Sequence, residues 1–458
     1  MQTPYKPSRY NIYAYSSDKS TVFLHNTRTR AILEVPIEAW PMADALCRSG
    51  RASSENPFEA KVQCDYVREI LHSGGFVIEA DRDEIEELKA GMYAQRSKAR
   101  QISLTIAPTM DCNLACSYCY AARNPKGRMS PAIQKAVVQF AESNMIAAQA
   151  KSLFVTWIGG EPTMAFDIIS DMSGEVQRLC AAHEMEYSAS VVTNGTLVTA
   201  EMAKAMRDVC RVRTAQLTID GYDHDVRRPW RSKPAEHKQS CMQCVIDAYH
   251  LLGAYLERVA VRINVDCKNG NVAELVRFAK YLEGHGISPD VIYLGYVHGI
   301  IGESRAYADY SLTRQEFAKR ELQWLKARNI IPTVLGPRLT PCTHVEPYCY
   351  TIDPEGYVSR CWDYIGYPDK RVGHVTTGLF KNDPCKDFMS YAPFERKDCR
   401  ECVWIPTCMG GCPALAVTGA ASGRATCHTA KFLADEWLRS VGEGLSSKQP
   451  ETPAICTV

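Results

Sequence analysis

Between residues 98 and 310 short runs rich in β-branched and apolar residues alternate with longer amphipathic stretches, and no other feature of the chain limits its fold as strongly. The runs at 102–107, 153–158, 188–193, 214–219, 260–265 and 291–296 read as strands, and stretches such as 131–147, 237–256 and 271–284 read as helices. Strand and helix repeated in this order predict an α/β fold of parallel strands joined by right-handed crossovers. Six such units are too few to close an eight-stranded barrel. Sheets of this kind carry their chemistry on the loops that leave the C-terminal ends of the strands.

The loop after the first run reads Asp111-Cys112-Asn113-Leu114-Ala115-Cys116-Ser117-Tyr118-Cys119, a C-x3-C-x2-C triple with an aromatic residue before the last cysteine. Three thiolates on a short loop can hold three irons of a 4Fe-4S cube and leave the fourth open to a substrate or cosubstrate. The second run leads into Gly159-Gly160-Glu161-Pro162, where glycines allow close backbone approach and a carbonyl-lined, anionic edge suits an ammonium group. The third run ends in Thr193-Asn194-Gly195, and the fourth in Asp220-Gly221, followed by His224 and Arg227. Taken singly, these Asn-Gly and Asp-Gly pairs are tight turns, and the Gly-Gly-Glu-Pro segment is an ordinary strand-to-helix turn.

A second cysteine region is the more specific of the two. Cys399, Cys402, Cys408 and Cys412 follow C-x2-C-x5-C-x3-C, with Cys342, Cys349 and Cys361 upstream and Cys427 downstream. Cys361 completes a Gly-x4-Cys with Gly356. Four-cysteine zinc ribbons pair two C-x2-C knuckles, which this is not. Disulfides need an oxidising compartment, and Met1 to Tyr10 carries Lys6 and Arg9 with no apolar signal core, so a cytoplasmic protein is expected. Cys241 and Cys244 form a lone C-x2-C pair that reads as helix packing.

The cysteine triple, the Gly-Gly-Glu-Pro turn and the two later strand ends, in this order, resemble the radical S-adenosylmethionine (radical SAM) enzymes. The C-terminal cysteines resemble the SPASM domain, the extension that holds two auxiliary 4Fe-4S clusters in family members acting on peptides and proteins. The resemblance implies an open partial (β/α)6 barrel and three 4Fe-4S clusters. Cys112, Cys116 and Cys119 would bind the reactive one. SAM would lie among Tyr118, Gly159, Gly160, Glu161, Pro162, Thr193, Asn194, Asp220 and Arg227. One auxiliary cluster would take Cys342, Cys349, Cys361 and Cys412, with Cys385 as the substitute for Cys349, and the other Cys399, Cys402, Cys408 and Cys427. The remaining cysteines, Cys47, Cys64, Cys180, Cys210, Cys241, Cys244, Cys267, Cys385 and Cys456, read as buried hydrophobes or surface thiols.

Outside the middle region, Tyr10 to Tyr15 and Thr21 to His25 read as a hairpin, Ala39 to Arg48 and Phe58 to His72 as helices, and Gly75 to Ile78 as a short strand. Residues 1–95 thus resemble the winged-helix-like module with which peptide maturases hold a precursor's leader, where a strand edge would bind it by β-augmentation. The bland alternative is a shield for the barrel. Asp81 to Lys98 reads as a charged linking helix with a solvated face, 311–340 as a bridging helix, 341–441 as the SPASM domain and 442–458 as a tail. Lys and Arg number 53 against 52 Asp and Glu, so charge points to neither nucleic acid nor an anionic membrane as partner, and no run of about 18 apolar residues predicts a membrane span.

The family resemblance therefore implies a peptide maturase fed by a flavodoxin- or ferredoxin-type donor. One electron would cleave SAM to methionine and a 5'-deoxyadenosyl radical, which takes a hydrogen from a residue of a ribosomally made precursor. The product expected is an intramolecular thioether or another side-chain link, and Asp363, two residues after Cys361, is the candidate base. Alternatives are an anaerobic sulfatase-type (formylglycine) maturase or a peptide epimerase. Sulfatase maturases often carry aspartate directly after the Gly-x4-Cys cysteine, where this chain has Trp362. An Fe-S electron carrier or a peptide-binding scaffold is the non-enzyme alternative.

Overall fold

The computed structural model describes residues 5–49, 57–97, 101–119, 121, 127–231, 239–297, 310–417 and 426–448. The middle of the chain builds six parallel strands, β6 (Gln101–Ile106), β7 (Ser152–Trp157), β8 (Glu186–Thr193), β9 (Val212–Thr218), β10 (Arg258–Val265) and β11 (Ile292–Tyr296). Helices α4 (Pro131–Ala148), α5 (Phe166–Ala182), α6 (Ala200–Asp208), α7 (Cys241–Gly253) and α8 (Val272–Gly284) supply the crossovers. Ser130, Thr199, Ser240 and Asn271 each cap the helix that follows by accepting a backbone N–H. Alternate residues of the strands, such as Leu104, Val155, Val191, Leu217, Val261 and Leu294, pack under these helices in one core. The intervening residues form the opposite, inner face of the sheet.

The sheet does not close. β11 is one end, and β6 continues into β12 (Cys349–Ile352), β13 (Tyr357–Ser359), β14 (Arg371–His374) and β15 (Gly378–Leu379), giving a ten-stranded order β11-β10-β9-β8-β7-β6-β12-β13-β14-β15. β12 runs parallel to β6 with Cys349 opposite Ser103, so the cysteine-rich region extends the central sheet directly. Gly356, at φ +90, makes the turn from β12 to β13 possible.

The N-terminal region is a three-stranded antiparallel sheet of β2 (Asn11–Tyr15), β3 (Thr21–Asn26) and β4 (Ile32–Pro36), beside a small pair of β1 (Tyr5–Pro7) and β5 (Val77–Glu79). Val22, Leu24, Leu33 and Val35 face α1 (Trp40–Ser49) and the end of α2 (Pro57–Ser73). Ala14 and Phe23 face the C-terminal helix Ala434–Ser446 through Trp437, Leu438 and Val441. Tyr10 and helix α3 (Glu84–Ser97) pack on Phe394, Ile405 and Met409 of the second cysteine region.

Three sequence expectations change. The proposed tail from residue 442 begins inside the C-terminal helix, which runs to Ser446 because Gly442 is pressed against Phe23, a Cβ there standing 2.3 Å from the ring. The linking helix α3 is not simply solvated, since Glu84 is buried and accepts from Ser8 Oγ (2.8 Å) and Arg9 N (2.9 Å). The bridging helix covers only Arg314–Ala327. Cys456, the side chain of Cys64 and the tail beyond 448 lie outside the described residues.

Candidate active site

The cysteine loop leaves the C-terminal end of β6 and is tied on both sides by backbone. Glu161 N donates to Asp111 O (2.8 Å) and Gly160 N to Thr109 O (3.2 Å) from the turn after β7. Ala115 N donates to Pro229 O (2.8 Å), Ser117 N to Arg227 O (3.1 Å) and Arg231 N to Asn113 O (2.7 Å) at the loop after β9. The two glycines serve this contact. A Cβ on Gly159, whose φ is +150, would stand 2.1 Å from Thr109 O, and one on Gly160 2.3 Å from Asp111 O. The close approach foreseen for a ligand is thus made first by the cysteine loop itself.

Glu161 is buried and both its oxygens are engaged inside the protein. Oε1 accepts from Thr163 Oγ1 (2.6 Å), Thr163 N (3.1 Å) and Thr193 Oγ1 (2.5 Å), and Oε2 from Asn194 N (2.6 Å). Burial pushes this carboxyl up, and those four bonds oppose the shift. Its place is therefore a brace between the ends of β7 and β8, with Pro162 starting the short turn behind it. Asn194 extends the brace toward the thiols. Its amide donates to Asn113 Oδ1 (2.9 Å) and stands 3.9 Å from Cys112 Sγ.

Opposite lies a buried polar group around Tyr118. Its hydroxyl donates to Asp220 Oδ2 and accepts from Arg228 Nη1 (3.2 Å) and Asn264 Nδ2 (3.1 Å). Asp220 Oδ1 is buried without a hydrogen-bond partner, an open acceptor that fits a ligand hydroxyl. His224 Nδ1 accepts from Asp220 N (3.2 Å), which holds the carboxylate in place. Arg227 is turned to the buried Asp266, at 2.6 and 3.4 Å, with its guanidinium 5.6 Å from the Tyr118 ring. Removing one partner of such a pair strands the other charge. Arg227→Ala is expected to destabilise the fold by about 3 kcal/mol or more, read as a lower urea midpoint; an unshifted midpoint would contradict the pairing.

Arg228, Asn264 and Asp266 were not singled out from sequence. Arg228 adjoins Arg227, and the other two sit at the C-terminal end of β10, where the fold concentrates functional groups.

Burial pushes the Cys112 thiol up to about 12, with Cys116 and Cys119 adding to the shift. Burial also raises Cys116, which Arg228 opposes. Three mutually close, unbridged thiols, of which burial keeps Cys112 and Cys116 protonated, fit a bound metal centre, which would restore the thiolates. The other cysteines gather in two further sets. Burial raises Cys361 well above its usual range, and Asp363, Cys412 and Cys342 act on it. Cys349 is raised to about 12 by burial first, with Glu346 and Cys342 adding, whereas Cys385 contacts Lys370 O at 3.7 Å and senses no other cysteine of the set. Cys349 therefore stands beside Cys342, while Tyr364 senses Cys361, Cys385 and Cys412 together.

Cys399 is acted on by Cys408 and Cys427, and Cys408 by Cys427 and Cys402. Gly411 admits the returning chain, a Cβ there standing 1.7 Å from Thr426 O. Among the described residues no three His, Cys, Asp or Glu side chains close to the spacing of one metal ion, and tetrahedral zinc would need sulfurs about 3.8 Å apart. Asp363 Oδ2 lies 3.8 Å from Cys361 Sγ, its carboxyl pushed up to about 6 by burial and drawn down by Arg262 of β10 among others.

Among the described residues no helix is long and apolar enough to cross a membrane. Residues 106–265 match the Radical SAM superfamily. The cysteine-type anaerobic sulfatase-maturating enzyme of Clostridium perfringens (strain ATCC 13124) is 21% identical over 342 residues, covering 68% of this chain and 88% of that protein. The serine-type enzyme of Klebsiella aerogenes is 24% identical over 333 residues, covering 66% and 77%. In fold, the chain is similar to native anSMEcpe with bound AdoMet and Cp18Cys peptide, at a TM-score of 0.56 and 17% identity, covering 76% of this chain and 98% of that one. The superfamily match begins on the last residue of β6 and ends on the last of β10, so it encloses the thiol triple and the turns that hold it: this part of the chain is a radical SAM domain, and the protein is an enzyme.

Proposed function

We propose that this enzyme modifies a ribosomally made precursor peptide, most simply by an intramolecular thioether or another side-chain link. The observation that carries the reading is that cysteines of two sets stand at opposite ends of β6. Cys112, Cys116 and Cys119 follow the C-terminal end of β6, while Cys349 pairs with Ser103 near its other end. A substrate between them meets a reactive centre on one side and an electron acceptor on the other. The peptide-bound sulfatase-maturating structure of similar fold supports a peptide in that space.

Cys112, Cys116 and Cys119 would hold the reactive 4Fe-4S cluster. SAM would lie against Tyr118, Asp220 and the strand ends of β7 and β8. Cys342, Cys349, Cys361 and Cys412 would hold one auxiliary cluster, and Cys399, Cys402, Cys408 and Cys427 the other. Bound together, the first cluster and SAM supply one-electron chemistry able to take a hydrogen atom from an unactivated carbon. The protein's own part is placement. Glu161 and Asn194 fix the cysteine loop, Asp220 offers an open acceptor, and the inner face positions the target and keeps water away.

Asp363 stands between Cys361 and Arg262 and would take the substrate proton during closure of the new bond. Asp363→Asn is expected to lower the ratio of linked product to 5'-deoxyadenosine at least tenfold; an unchanged ratio would leave the base elsewhere. The leader would bind residues 1–95 along β4, which among the described strands pairs only with β3, and a flavodoxin- or ferredoxin-type protein would supply electrons.

The second reading, a sulfatase-type maturase, is favoured by the two curated relatives and disfavoured by Trp362 directly after Cys361. The test is intact mass of a candidate precursor encoded beside the gene, co-expressed anaerobically with the enzyme. A loss of about two mass units, with backbone fragmentation blocked between the two joined residues, marks a cross-link, two hydrogens leaving as one bond closes; the same loss confined to one serine marks its oxidation to formylglycine instead. An unchanged mass contradicts it and directs attention to deuterium uptake for epimerisation, then to a sulfatase-type peptide.

A further inference from the structure

The inner face of β10 carries a cation to which no role has yet been given. Val259, Val261, Ile263 and Val265 point into the core under the helices, so Ala260, Arg262 and Asn264 face the opposite side. Asn264 reaches Tyr118 of the cysteine loop. Arg262 lies one strand step further from that loop, opposite Thr218 of β9 and Tyr293 of β11. Its field reaches Asp363, beside Cys361. The guanidinium therefore lies on the inner face, beside the Asn264 that holds the cysteine loop and within the field of Asp363.

It is also held in place. Arg262 Nε donates to Asn264 Oδ1 (2.7 Å) and Nη2 to the Tyr296 carbonyl (3.4 Å). Gly295 of β11 leaves the space it fills, because a Cβ there would stand 2.1 Å from Nε and 2.8 Å from Cζ. The Tyr293 hydroxyl is a third contact of the same side chain; all three partners are uncharged side chains or backbone, and among the described residues no carboxylate is within ion-pair distance of Arg262. Asp363 acts on it only through space. A guanidinium has five donors in a rigid fork, so this one is a fixed, partly buried cation with donors to spare.

We propose that Arg262 receives a carboxylate of the substrate, an aspartate or glutamate side chain at or beside the reacting residue, and so selects acidic peptide segments. The inference rests on the peptide reading above. A planar, bidentate fork matches a carboxylate in geometry and charge, whereas an amide offers one acceptor and no charge. A site built for the charged partner rejects its neutral analogue, because the cation is left partly desolvated and unpaired.

The test is saturation-transfer NMR on the full chain, reconstituted anaerobically and loaded with SAM, using acetyl-Ala-Asp-Ala-amide and acetyl-Ala-Asn-Ala-amide at millimolar concentration. The aspartyl peptide is expected to bind about tenfold more tightly. Arg262→Gln should abolish that preference, and Arg262→Lys, which keeps the charge without the fork, should retain part of it. Equal binding of the two peptides, no binding of the aspartyl peptide, or a preference that survives Arg262→Gln would overturn the proposal. Loss of SAM binding by Arg262→Gln in equilibrium dialysis would overturn it too, by assigning Arg262 to the SAM carboxylate. An aspartyl preference without any change in precursor mass would keep Arg262's role and sink cross-linking, and a mass change without the preference would do the reverse.

Discussion

Replacing Cys112, Cys116 and Cys119 together by alanine should abolish SAM cleavage while removing about four of about twelve irons per chain, one cube of three. The partial loss is the informative part. The triple stands on a loop of its own after β6, tied to the turns after β7 and β9. The other eight cysteines lie just before β12 (Cys342), on β12, in the turn after β13, and in segments 399–412 and 426–428. They are held by separate apolar contacts, among them Phe394, Ile405 and Met409 against Tyr10 and α3. Iron content and the visible absorption of reconstituted protein measure the outcome. Loss of all iron in the triple variant would contradict three independent centres, and retention of cleavage would remove the triple from the chemistry.

The second large effect is expected from a methyl group. Gly159→Ala adds a Cβ 2.1 Å from Thr109 O at a φ of +150, and Gly160→Ala adds one 2.3 Å from Asp111 O. Neither neighbour is a flexible side chain, so the cysteine loop must shift away from its brace. A displacement of about 1 Å at a reacting centre costs about 10²-fold in rate, and SAM cleavage should fall by at least that factor in either variant while auxiliary iron is retained. Gly174→Ala is the control, since a Cβ at this α5 glycine meets nothing within 4 Å. Wild-type cleavage by both Gly159→Ala and Gly160→Ala would show that the loop is not positioned by this contact.

What sequence reveals here divides by distance along the chain. The six strands lie within two residues of their expected limits because each alternates a core residue with an inner one, as in Arg258–Val265. The caps Ser130 and Ser240 and the cysteine spacings are equally local. Pairings between remote segments were not legible. Nothing near Arg227 announces that its charge is spent on Asp266, 39 residues on, and nothing near Glu161 announces that Thr193 will bond its Oε1 and Asn194 its Oε2. Cys349 opposite Ser103 joins two regions that composition separates. β4 was missed because Ile32–Pro36 is short and contains Glu34. The C-terminal helix outlasted its expected end because Phe23 accepts a glycine that propensity alone would place in a coil.

The central claim is that a hydrogen atom leaves a peptide residue at the centre built on Cys112, Cys116 and Cys119. It is tested most directly by the mass of 5'-deoxyadenosine formed when the reconstituted enzyme, SAM and a one-electron reductant meet a precursor deuterated at its Cα and side-chain carbons. Transfer from the peptide adds about one mass unit to the nucleoside, and the account predicts that shift in step with product. Unlabelled nucleoside formed alongside modified peptide would contradict it.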